Sequence, residues 1–70
     1  MKILIMVEET QTGLSAFAPD LPGCAATGST RQEVEKAMQE AIALHLEGLR
    51  ANGFEVPEAH TYATYVEVAA

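Results

Sequence analysis

Residues 31–51 form one uninterrupted run of good helix formers, and the rest of the chain has to be arranged around that single helix. Thr30 and Glu33 mark its start as a capping box. The Thr30 hydroxyl is placed to bond the Glu33 amide, and the Glu33 carboxylate to reach back to the Thr30 amide. Gly53 stands where a helix ends in left-handed backbone. Val34, Ala37, Met38, Ala41, Ile42 and Leu49 recur at three- and four-residue spacing and make one apolar face, which Leu44 and Leu46 widen. The opposite face carries Lys36, Glu40, Glu47 and Arg50, with Arg31–Glu35 and Lys36–Glu40 at i,i+4 spacing.

The remaining segments read as strands. Ile3 to Val7 is apolar and rich in β-branched residues, the pattern of a strand buried at the centre of a sheet. Glu9 to Gly13 supplies turn chemistry, and Leu14 to Ala18 reads as the second arm of a hairpin. Pro19-Asp20-Leu21-Pro22-Gly23 is irregular, because both prolines lack a ladder donor and Gly23 permits positive φ. Cys24 to Thr27 is a short third strand. After a connector containing Pro57, Tyr62 to Val68 alternates Tyr62, Thr64, Val66 and Val68 on one face with Ala63, Tyr65 and Glu67 on the other, which predicts a last strand.

Seventy residues hold one domain, spanning 1–70. The order β-β-β-α-β predicts an α+β two-layer fold: a mixed four-stranded sheet in the order 3-2-1-4 with the helix crossing over one face in the right-handed sense. Ile3, Ile5 and Val7 would then face the helix, leaving Leu4 and Met6 on an uncovered face. An apolar patch there is expected to be a self-interface, giving a homodimer.

Charge narrows the function. Four Lys and Arg against ten Asp and Glu give a net charge of −6. Nucleic-acid affinity rests on basic side chains neutralising phosphates, so direct binding of DNA or RNA by this chain is not expected. An acidic surface suits a basic protein partner, although solubility alone explains the charge equally well. Cys24 is the sole cysteine, so no internal disulfide forms. No apolar run approaches the roughly 20 residues of a membrane span, and a cytoplasmic location is expected.

No catalytic, cofactor or metal site emerges from the residues. Cys24 with His45 or His60 lacks a third orienting group, and a lone cysteine reads first as a small buried hydrophobe. The two histidines have no metal-ligand spacing. A two-metal nuclease needs carboxylates in the middle of adjacent strands, where the first strand offers Leu4, Ile5, Met6 and Val7. The alternative to a binding module is a small enzyme or ligand-binding domain built on the 19–23 loop and His45.

One stretch is more specific. Phe17 to Val34, containing Pro19-Asp20-Leu21-Pro22-Gly23-Cys24 and, further on, Gly28-Ser29-Thr30-Arg31-Gln32-Glu33, resembles the signature of the HicB antitoxin family. Gly53-Phe54-Glu55-Val56-Pro57 matches that family's helix ending. The sequence departs at Ala26, where threonine is common, and at Gln32, where an acid is common. The resemblance implies a degenerate ribonuclease-H-like fold and no cofactor. It also implies binding to a small basic messenger-RNA-cleaving toxin of the HicA type. Many members add a C-terminal DNA-binding segment, and the resemblance here covers the HicB-like domain alone. Pro19, Asp20, Leu21, Pro22 and Gly23 are the signature loop. Its architectural role is complete in itself, with partner contact expected through Asp20.

Overall fold

The computed structural model describes residues 1–69. Its elements are β1 (Met6–Glu9), β2 (Leu14–Phe17), β3 (Ala25–Gly28) and the helix α1 (Arg31–Ala51). The strands form one antiparallel sheet in the order β1-β2-β3. Val7 lies opposite Ala16, and Ala16 lies opposite Ala26. These three share one face because strand side chains alternate. Met6, Phe17 and Ala25 form the parallel row on the other face.

The helix lies over β3 and β2 and leaves β1 uncovered. The core sits in that seam: Ala16, Ala18, Leu21, Cys24, Val34, Met38 and Leu46 are buried, and Leu21, Val34 and Met38 have no exposed surface. Close approach at the helix start depends on glycine. A Cβ on Gly28 would come within 2.6 Å of the Val34 backbone nitrogen, too close for any side chain.

Both helix ends follow the sequence signals. The Glu33 N–H donates to the Thr30 hydroxyl at 3.1 Å. The Glu33 carboxylate accepts from the Ser29 N–H at 2.9 Å, one residue earlier than the expected Thr30 amide. At the far end Gly53 has φ +74°, its N–H donates to the Arg50 carbonyl, and the Phe54 N–H donates to the Leu49 carbonyl at 2.9 Å. This pair of bonds satisfies two of the carbonyls a helix end would leave open. Leu44 does not join the apolar face: it is exposed, since it sits six residues beyond Met38, about 120° around the helix. Among the described residues no helix is long and apolar enough to cross a membrane.

The α+β layout is therefore correct, but the sheet has three strands, not four. Tyr62 to Val68 forms no strand, and its side chains are exposed. The expected order 3-2-1-4 fails with it, and β1 is an edge strand with all four residues exposed. The physical reason is that alternation qualifies a segment to pair without supplying the neighbour. Strand pairing of β1 also begins only at Met6, because Phe17 is the last β2 residue that faces it. Ile3 and Ile5 precede the ladder and pack against the core.

The cap gives a direct test. Thr30→Ala is expected to cost about 1 kcal/mol and to lower the urea midpoint accordingly. An unchanged midpoint would mean that this hydroxyl does not hold the helix start.

Candidate functional site

The signature loop is a turn closed on itself. The Ala18 N–H donates to the Cys24 carbonyl, the Leu21 N–H to the Ala18 carbonyl and the Cys24 N–H to the Leu21 carbonyl, each at 3.1 Å. Gly23 adopts φ +83°, the left-handed backbone that turns the chain into β3. Leu21 is buried beneath the helix, Pro19 is half-buried, and Pro22 and Gly23 are exposed.

Asp20 points inward. It is 6 % exposed, the buried charged residue among those described. The Thr61 hydroxyl donates to its Oδ1 at 2.6 Å, and the N–H groups of His60 and Thr61 both donate to Oδ2 at 3.2 Å. His60 Nδ1 lies 3.4 Å from Oδ1. The loop thus ties down a segment forty residues later, which supplies the partners a buried carboxylate requires. Sequence reasoning missed His60 and Thr61 in this role, and no local pattern announces a contact over that separation.

The Thr61 hydroxyl above all holds the Asp20 carboxyl below its ordinary value of 3.8. Burial works against that lowering, while the Thr61 and His60 amides and the His60 charge reinforce it. The native state therefore holds the proton more weakly than the unfolded chain. The stabilisation is present above the ordinary aspartate value and is lost as pH falls through the lower native value.

Two of the grooves on the body involve residues singled out in the sequence. One, of about 660 Å³, lies between the lead-in to β1 and the helix, with Ile3, Ile5, Met38 and Ile42 as its apolar lining and Glu35 and Lys36 at the rim. The other, of about 220 Å³, brings Cys24 and His45 together beside Ala41 and Leu44. Burial pushes the Cys24 thiol up, away from the thiolate form that a nucleophile needs. Among the described residues no three His, Cys, Asp or Glu side chains group as metal ligands. Leu4 is half-buried and Met6 is exposed, and Met6 sits beside the exposed Phe17 on the face away from the helix.

The model of the HicB-like antitoxins of bacterial toxin–antitoxin systems matches residues 2–69. The chain belongs to the HicB-like antitoxin family. Over 62 residues it is 32 % identical to a 14.9 kDa protein from the rep–hol intergenic region of Haemophilus phage HP1, covering 89 % of this chain and 47 % of that protein. A UPF0150 protein of Helicobacter pylori is 36 % identical over 52 residues, covering 74 % of this chain and 72 % of the relative. Among solved structures, a chain of the HicA3 and HicB3 toxin–antitoxin complex superposes with a TM-score of 0.64 at 33 % identity, covering 77 % of this chain and 66 % of that one. The HicB-like chain thus spans about half the length of the phage relative and just under two thirds of the solved one.

The Asp20 anchor predicts a localised acid response. Amide exchange at His60 and Thr61 should quicken as pH falls below about 3.8, relative to the intrinsic rate, while helix amides such as Met38 stay protected. Asp20→Ala should abolish that protection at neutral pH. Equal protection in the variant would show that other contacts hold residues 60 and 61.

Proposed function

We propose that this HicB-like chain is a non-catalytic cytoplasmic antitoxin that binds and neutralises a small, basic, messenger-RNA-cleaving toxin of the HicA type. The observation that carries the reading is the match over residues 2–69 together with a structural relative from a toxin–antitoxin complex. Its surface supports the partner's charge. All nine glutamates are exposed and only Asp20 among the acids is buried, against four exposed Lys and Arg. Such a surface steers a basic protein into encounter. Pro22 and Gly23 are the exposed residues of the signature loop available to that partner, since Asp20 is engaged within the chain. We read the three strands and helix as a reduced ribonuclease-H-like unit: β1 carries Glu8 and Glu9, but they face Ser15 and Leu14, and neither β2 nor β3 supplies the second carboxylate a two-metal nuclease would need. The raised Cys24 thiol weighs against the alternative of an enzyme built on Cys24 and His45.

Co-expression with a basic toxin of the HicA type tests the reading. The two should co-purify and growth arrest by the partner should be relieved. The chain alone should cleave no RNA with magnesium present. Association should slow markedly as salt rises from roughly 0.1 to 1 M, because the screening length falls from about 10 to 3 Å. Failure to co-purify and to rescue growth would overturn it.

A homodimer belongs to the same reading. Met6 and Phe17 pair on the sheet face that the helix does not reach, half-buried Leu4 precedes them in the chain, and a second copy is the occupant of that face. Burial of a Leu or Met side chain contributes about 1.5–3 kcal/mol. Leu4→Glu combined with Met6→Lys should therefore shift a dimer to monomer in sedimentation. A monomeric unmodified chain at high micromolar concentration would contradict it.

A further inference from the structure

We propose that residues 62–68 of one copy pair with the open edge of β1 in a second copy, and that the exchange is reciprocal. The inference deepens the homodimer reading above and does not depend on toxin binding.

The segment is built for a sheet and has none. Tyr62, Thr64, Val66 and Val68 alternate with Ala63, Tyr65 and Glu67, a β-branched and aromatic pattern suited to a strand covered on one face. Tyr62 and Tyr65 are 82 % and 101 % exposed, Val66 and Val68 80 % and 78 %. Among the described residues its one hydrogen bond is local, from the Thr64 hydroxyl to the Tyr65 carbonyl at 3.5 Å. The chain is drawn out accordingly. Its radius of gyration is 14.0 Å and its longest extent 50 Å, whereas a compact chain of this length has a radius near 11 Å. Seven extended residues account for about 23 Å of reach.

The body carries the complementary vacancy in its sheet. β1 is paired on one side only, the helix does not lie over it, and the Ile3–Ile5–Met38–Ile42 groove opens beside its lead-in. A strand added there would lay its Tyr62, Val66 and Val68 face over the groove and its Tyr65 face beside Leu4 and Met6. Two apolar surfaces that the helix leaves open would then be closed by one segment. Each tyrosine brings roughly 150–250 Å² of burial. A reciprocal pair of arms therefore supplies a large part of the ~1,200–2,000 Å² that stable interfaces bury.

Asp20 decides which copy is served. It fixes His60 and Thr61 against the β2–β3 turn, so the arm starts from a clamped root. The open edge of the same chain's β1 lies two strand spacings away, roughly 10 Å, on the other side of β2. Crossing that distance would use about three of the arm's seven residues and leave about four to pair, whereas a second copy docked against the root can pair with the whole arm, which favours exchange between copies.

Proline scanning of the purified full chain tests this. The added arm would itself be an edge strand, so only alternate N–H groups face β1, and Tyr65→Pro and Val66→Pro must both be made. At least one should raise the dimer dissociation constant about tenfold or more in sedimentation. Far-ultraviolet circular dichroism should show the helix intact, since neither side chain is buried against its own body. In a mixed isotope-labelled and unlabelled sample, nuclear Overhauser contacts should connect residues 62–68 of one copy to residues 3–9 of the other. A dimer that survives both prolines and lacks those contacts would overturn strand exchange while leaving the Leu4–Met6 interface standing. Contacts found only within one chain, or arm protection that appears only when a toxin is added, would equally overturn it.

Discussion

Everything in this chain depends on one apolar seam, where Val34 and Met38 of α1 meet Leu21 and Ala16 across the sheet. Three of those four side chains have no exposed surface. Truncating a fully buried side chain costs about 2–5 kcal/mol, comparable to the margin of a small domain. Twenty-one helical residues can cover only two short strands, β2 and β3, and that limit shapes the remainder. β1, its Met6–Phe17 pair and the Tyr62–Val68 arm all lie outside the seam. A HicB-like domain built this way keeps its buried core in one layer and leaves its other surfaces open.

The distribution of charge follows the same division. Nine glutamates stay in water, while the single aspartate is spent inside the signature loop. A buried carboxylate is tolerated because three donors from His60 and Thr61 converge on it. That convergence closes the loop around the chain after Pro57 and sets where the arm begins. The loop's interior thus holds the fold through Asp20 and Leu21, while its Pro22–Gly23 corner is exposed.

Much of this was legible in the residues. The helix and both its ends announce themselves locally, through Thr30 with Glu33 and through Gly53, because capping is satisfied within a few residues. The hairpin and the proline-bracketed loop are local for the same reason, and the family signature adds the rest of the identity. Pairing is not local. Ile3 to Val7 looked central from its apolar content, yet content does not choose a neighbour, and β1 became an edge. Tyr62 to Val68 carries a strand's alternation, which states what the segment can do without stating in whose sheet. The contact of Asp20 with Thr61 spans forty-one residues and leaves no periodic trace. Leu44 was misplaced by a coarse reading of helix angle, a matter of which side of α1 the sheet occupies.

The central claim is that this acidic, non-catalytic domain silences a basic messenger-RNA-cleaving toxin by binding it. Titration of the purified chain into an RNA-cleavage assay of a HicA-type toxin measures this directly. The account predicts that cleavage falls linearly with added chain and reaches zero at a fixed stoichiometric ratio. Undiminished cleavage at a clear molar excess of folded chain would contradict it.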